Sequence, residues 1–331
     1  MLSSVSKGEI VSAFKMMRIQ YRRLDDAHKE FDALRAVKKS CPSAPQDFVT
    51  VFAPSHSGKS MLVTTYIENV IVDEAISRGL FKSSVARTEI AQRQRLVLHV
   101  TLQDGATKKS IASDILRALG DPNPTRGTAD TLLQRAYDLL RRHGVELVVI
   151  DEIQQLAGGM DIDRRTGSRA TNTLKIMLIR GLVPMVFMGL EEAEGLMEDV
   201  QLSGRRIRQL NIGALNPADI DDCNAFREYC GKTWILLKKM GIFQERSNFV
   251  SDFIVDCIFE VSKGLLGIAS RLMMHASFRA RELSAPSVTV DHLSYATDLW
   301  AIRERKIIDR NPFVGGPRTK LAGLPTSEQA V

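Results

Sequence analysis

The sequence predicts an α/β fold: a parallel five-stranded sheet between helices, preceded by a helical segment and followed by a small helical lid. Three observations predict it. Five short apolar runs recur between residues 47 and 213, each separated from the next by a helical pattern, and such alternation gives a parallel sheet covered on both faces. The first run, Phe48-Val49-Thr50-Val51-Phe52, passes directly into Ala53-Pro54-Ser55-His56-Ser57-Gly58-Lys59-Ser60, a glycine-lysine-serine loop at a strand-to-helix junction. From about residue 216 onward strand signals vanish and only helical periodicity remains.

Residues 5–39 read as helical, because Val11, Phe14, Met17, Ile19, Phe31 and Leu34 recur at near-helical spacing among charges. Cys41-Pro42-Ser43-Ala44-Pro45 reads as a linker, since two prolines deny both helix and ladder bonding. Strands are expected at 47–52, 95–102, 146–150, 183–189 and 208–213, with helices at 59–78, 108–119, 128–143, 168–181 and 190–200. In the helical region the patterns fall at 225–229, 234–237, 249–261, 268–283 and 291–308, the last with Val290-Asp291 as its N-cap region. The tail beyond is rich in Gly and Pro, and disorder is expected there. The resulting division is an N-terminal extension and linker at 1–45, a nucleotide-binding core at 46–215, a lid at 216–308 and a tail at 309–331.

The composition, 44% hydrophobic and 25% charged over 331 residues, is that of a globular protein. No run approaches the apolar length of a membrane span, and Glu9 and Asp25-Asp26 interrupt the basic N-terminus, which argues against a secretory signal. Cys41, Cys223, Cys230 and Cys257 lack the paired spacing of a zinc site and read as reduced thiols of a cytoplasmic protein. Of the net charge of +6, residues 1–45 carry +4 (nine Lys or Arg against five Asp or Glu) and residues 301–331 carry +3 (six against three). The core is therefore near neutral, and the basic ends permit contact with nucleic acid without demonstrating it.

The loop at 53–60 has the form of a Walker A element, with alanine where the first glycine usually stands. Its backbone N–H groups and the following helix N-terminus favour a phosphate. Lys59 is a compact cation for the β/γ-phosphates, and the Ser60 hydroxyl can hold Mg²⁺. Ser55, His56, Ser57, Gly58 and Met61 complete the cradle. Val145-Glu146-Leu147-Val148-Val149-Ile150 then leads into Asp151-Glu152. At the C-terminal end of a buried strand this pair reads as a Walker B element: Asp151 for Mg²⁺, Glu152 to polarise a water attacking the γ-phosphate. Together the motifs point to ATP hydrolysis.

A three-layer ATPase core followed by a helical lid resembles the AAA+ superfamily. Within it, Asn172-Thr173-Leu174-Lys175, the run from Gly181 to Gly189 with Leu190-Glu191-Glu192-Ala193, and Asp199-Val200-Gln201-Leu202-Ser203-Gly204-Arg205 resemble the TniB/TnsC regulators of DNA transposition, related to the MuB target-selection ATPase. Ala53, Leu190 and Arg206 depart from that family's pattern, and Leu190 removes a polar side chain from a sensor position. The resemblance implies that Arg205, with Arg206 and Arg208 beside it, serves as an arginine finger on a neighbouring subunit's nucleotide. It implies that Arg271, after Gly264-Leu265-Leu266-Gly267, is a second sensor for the γ-phosphate. It also makes Lys108-Lys109 and Arg164-Arg165 the candidate DNA contacts.

The function so implied is an ATP- and Mg²⁺-dependent regulator of transposition that assembles with itself as a ring or filament on double-stranded DNA. Its partners would be a transposase and a TniQ-like target selector, without a membrane, in a bacterial cytoplasm and on the nucleoid when DNA-bound. An AAA+ helicase loader or replication-initiator-like ATPase, and a nucleotide-dependent switch that binds only protein, are the competing readings.

Overall fold

The structure, a computed structural model, describes residues 5–157, 164–197 and 204–323. By contact the chain divides into two compact units, one of Arg23–Ser55 with Lys59–Ile212, the other of Met1–Arg22, His56–Gly58 and Gly213–Val331. The N-terminal segment is thus shared between them, where the sequence suggested one extension.

The first unit holds the sheet. Its strands are β1 (Phe48–Phe52), β2 (Val97–Thr101), β3 (Leu147–Asp151), β4 (Met185–Gly189) and β5 (Arg206–Gln209), in the order β2-β3-β4-β1-β5. Every pairing is parallel. β1, β3 and β4 are buried at every position, as continuous apolar runs demand of central strands. The strand intervening in the chain between β1 and β3 is β2, which lies at an edge; the strand intervening in the sheet is β4. Phe52 pairs with Gly189 and Ile150 with Phe187, so β1, β4 and β3 end along one border, where ligands of open parallel sheets bind.

After β1 the chain forms α3 (Lys59–Tyr66), a π-helical turn at Ile67–Ile71 and α4 (Val72–Ser77). α5 (Arg87–Arg93) precedes β2; α6 (Lys108–Leu119) and α7 (Ala129–Arg142) link β2 to β3; α8 (Arg164–Ile179) precedes β4. α6 and α7 start at threonine caps, Thr107 and Thr128, and α6 ends at Gly120 in the left-handed region. Ile115, Leu132, Tyr137, Val148 and Phe187 belong to one buried cluster of these layers, each apolar side chain contributing about 1.5–3 kcal/mol on burial.

The first unit also contains α2 (Arg22–Ser40) from Arg23 onward. Its Arg35 side chain, 3% exposed, donates to Glu146, Glu74, Asp32 and the Tyr66 hydroxyl. That network joins α2 to α3, α4 and the approach to β3.

The second unit comprises α1 (Lys7–Met16), α9 (Ile220–Lys239), α10 (Asp252–Ser262), α11 (Leu266–Glu282), α12 (Val290–Ala296) with a π-helical turn at Thr297–Glu304, and the short α13 (Pro312–Gly315). Residues 5–39 are two helices and not one run, because the backbone turns extended at Met17. The cap of α12 is Thr289, one residue before the expected region, and forms a capping box with His292. The expected disorder from residue 309 is corrected as far as 323. Arg310 pairs with Glu260, the Arg318 and Thr319 N–H groups donate to Glu260, and the Leu321 N–H donates to Asp256 at 3.2 Å.

Candidate nucleotide-binding site

The loop after β1 is built by its backbone. Ala53 is fully buried and donates its N–H to the Gly189 carbonyl at 3.2 Å. Its φ is not positive, so alanine meets no steric penalty where a glycine is usual. The conformational demand falls instead on His56 (φ 65) and Gly58 (φ 101). At the apex, within the second unit, the His56 carbonyl accepts from the Gly267 N–H at 3.0 Å. A Cβ on Gly267 would lie 2.4 Å from that oxygen, so only glycine allows this approach. Arg271 lies one turn further along α11 and is exposed.

Lys59 opens α3, which has no acidic residue in its first turn. Its ammonium donates to the Ala53 and Pro54 carbonyls at 2.5 and 3.0 Å. Burial pushes its pKa down, and the charges of Asp151, Glu152, Glu191 and Glu192 oppose that. Ser60 and Ser55 are exposed, and Met61 is partly buried. Ser57 is buried, and its hydroxyl has no partner among the described residues.

Asp151 ends β3, 3% exposed. One carboxylate oxygen accepts the Glu152 N–H at 2.9 Å; the other is 3.0 Å from His99 Nε2 on β2. A carboxylate only accepts, so Nε2 carries the proton. Glu152 follows in the left-handed region (φ 59). Its carboxylate accepts from the Gln154 side chain, whose carbonyl oxygen in turn accepts the Leu190 N–H at 3.2 Å. Sequence reasoning found Asp151 and Glu152 but not His99 or Gln154. A histidine set between Leu98 and Val100 in the middle of the run 95–102 was the available signal for His99.

The other candidates lie apart. Arg205 precedes β5, half-buried, its carbonyl accepting the Phe48 N–H at 3.1 Å. Arg208 is tied to Glu30 of α2 at 2.8 Å, and one Arg206 nitrogen is buried without a partner among the described residues. Lys108 is paired with Asp130 at the start of α7, which resolves the presence of a cation at a helix N-terminus. Lys109 is exposed, and both lysines line an open groove of about 700 Å³ between α6, α7 and α8. Arg164 and Arg165 begin α8, but their side chains, like residues 199–203 of the arginine-finger motif, lie outside the described part.

Among the described residues no group of three or more His, Cys, Asp or Glu could hold a metal alone. A magnesium site with one protein hydroxyl, one carboxylate and phosphate oxygens needs no such cage. Ser60, Asp151 and Lys59, all of the first unit, therefore fit a magnesium–nucleotide complex.

Residues 44–197, which contain both motifs and β1 to β4, match the family model described as AAA domain. The match marks this stretch as similar to an AAA domain. With β5 and the helical C-terminal region, the chain has the AAA+ P-loop fold. No curated protein matches the sequence. Among solved structures, the AAA domain and its surroundings are similar to the ORC2 protein of Aeropyrum pernix in its ADP form (TM-score 0.58, 18% identity, 87% of this chain and 72% of that one). They are also similar to Cdc6p of Pyrobaculum aerophilum (0.55, 14%, 87% and 70%) and to the ORC1 protein of Aeropyrum pernix in complex with DNA (0.54, 17%, 85% and 66%). The chain thus spans about two thirds of the length of these proteins. No helix among the described residues is long and apolar enough to cross a membrane.

Proposed function

We propose that this protein is a DNA-associated AAA+ ATPase that hydrolyses ATP at the border formed by β1, β3 and β4. The observation carrying the proposal is the convergence of Lys59, Asp151 and Glu152 there, with Lys59 within the field of both carboxylates. The first α3 N–H groups and Lys59 bind the phosphates, and Glu152 orients and deprotonates the attacking water. Ser60 and Asp151 would hold Mg²⁺, which when bound neutralises charge on the β- and γ-phosphate oxygens. Arg205 serves a neighbouring copy's site and Arg271 senses the γ-phosphate.

Two finer readings follow. An initiator- or loader-like role rests on the likeness to the ORC and Cdc6 structures, one of them a complex with DNA. A transposition regulator, with a transposase and a TniQ-like selector as partners, rests on the segments at 181–193 and 199–205, which that likeness does not explain. The test measures ATP turnover and duplex-DNA anisotropy with and without a slowly hydrolysed ATP analogue. Glu152→Gln is expected to keep ATP binding and lose hydrolysis, and Lys59→Ala to weaken binding. A mixture of co-assembled Arg205→Ala and Glu152→Gln chains, each inactive alone, recovers turnover if the arginine acts in trans. Turnover by Glu152→Gln equal to the parent refutes the site. DNA binding that is equally weak with and without nucleotide leaves the protein-only switch. Pull-down with purified transposase or replicative helicase separates the finer readings.

A further inference from the structure

We propose that Gln154 is a positioning residue that locks the Glu152 carboxylate and ties it to the end of β4. The inference rests on Glu152 being the water-activating group. The Gln154 amide has one defined orientation, set by its neighbours: the Leu190 N–H can only donate and the Glu152 carboxylate can only accept, so the amide oxygen faces Leu190 and the nitrogen faces Glu152.

The surroundings are shaped for this bridge. Gly189 ends β4 immediately beside it, and a Cβ there would fall 2.7 Å from the Gln154 amide oxygen and 2.6 Å from Ile153 Cγ2. A glycine at the end of a buried strand marks close approach by another group, and here that group includes the amide. Leu190 has no side-chain donor or acceptor, so this part of the β4 end reaches the carboxylate through a backbone N–H relayed by Gln154. Glu152 itself stands at φ 59, a conformation that costs a non-glycine residue and persists only when its surroundings hold it. With one carboxylate oxygen held by Gln154, the other is left to accept the water's proton.

The geometry predicts a kinetic defect without a binding defect. Gln154→Met keeps the length and loses both hydrogen bonds; Gln154→Glu keeps an acceptor for Leu190 but loses the donor and places a second carboxylate beside Glu152. Both should bind ATP, measured with a fluorescent analogue, as tightly as the parent, and lose about tenfold or more in kcat, the usual cost of an orienting partner. Gln154→Glu should be at least as slow as Gln154→Met. A residue that merely stabilised the loop would give the opposite order. In the Glu152→Gln background, Gln154→Met should cost nothing further, because the group it positions is gone. A kcat within about twofold of the parent overturns the proposal, as does a full additional loss in the Glu152→Gln background or a better-functioning Gln154→Glu. If Glu152→Gln alone leaves turnover unchanged, it is the underlying site that fails.

Discussion

Arg35 offers the most direct test of how the N-terminal helix is held. All its nitrogen donors are engaged: Nε and Nη2 on Glu146 at 3.0 and 2.6 Å, Nη2 also on Glu74, and Nη1 on Asp32 and the Tyr66 hydroxyl at 3.2 and 2.9 Å. Arg35→Met preserves the aliphatic stem and leaves Glu146, 7% exposed, with only Arg78 and Lys39. Breaking a buried ion pair from one side costs about 3–5 kcal/mol, and the two remaining cations place this case near 3. For a unit of this size that is about 6–12 °C in Tm. Burial raises the Glu74 pKa, but Arg35, Lys39 and Arg78 overcome that and hold it at about 2. Because the folded value is depressed, this part of the stability is present above the ordinary carboxylate value of 4.5 and is lost as pH falls towards 2. Urea unfolding followed by far-ultraviolet circular dichroism at neutral pH and near pH ~3 measures both effects, the Arg35→Met deficit shrinking in acid. Replacing both partners, Arg35→Met with Glu146→Leu, should recover at least about 1 kcal/mol of the single-variant loss, since no buried charge is orphaned. A single-variant cost below about 1 kcal/mol, or strict additivity in the double variant, would refute the reasoning.

His28 donates Nε2–H to the Leu62 carbonyl of α3 at 3.0 Å, and burial lowers its pKa despite that bond and the nearby Asp25 and Asp32. Its stabilising contribution is complete above the ordinary histidine value of 6.5 and declines as pH falls through it. His28→Phe should therefore flatten the stability–pH curve between about pH 7 and 5, and an unchanged slope would show that another group sets it. For DNA, Lys108→Ala with Lys109→Ala should reduce the salt slope of duplex affinity by about two units at most. Asp130→Ala, which releases Lys108, should leave affinity equal or higher, and a lower one would remove Lys108 from the interface.

The central sheet was legible because β1, β3 and β4 are buried on both faces, and such strands must be written as apolar runs. Its edges were less so. The fifth strand was placed at 208–213, drawn there by Leu210 and Ile212, whereas pairing with β1 covers Arg206–Gln209 and those two apolar residues are buried beyond its end. The second was drawn to start at Arg95, whose guanidinium instead binds the Leu119, Gln92 and Gln94 carbonyls outside the ladder. The packed tail was hard to see because, apart from the Arg310 guanidinium on Glu260, the anchors named above are backbone N–H groups on Glu260 and Asp256, donors that almost every residue carries. Gln154 was missed for a related reason: glutamine has no pattern of its own, and the residue that made room for it, Gly189, lies thirty-five positions away.

The departures from motif consensus also sort differently in three dimensions. Ala53 looked like the weak point of the loop, yet it sits unstrained with its N–H satisfied. The strain is at His56 and Glu152, two non-glycine residues with positive φ, at about 1 kcal/mol or more each. A fold selected only for stability would place glycine at both. At Glu152 the proposed reason is chemical, since the proposed function needs its side chain as the base. At His56 the neighbouring Gly267 supplies the alternative: the close approach is to the His56 carbonyl, a backbone atom, so glycine is required on the α11 side while the loop side can carry any side chain that tolerates the left-handed region. The steric requirement at this contact thus falls on the helix that carries Arg271, while the left-handed backbone stays with the loop at His56.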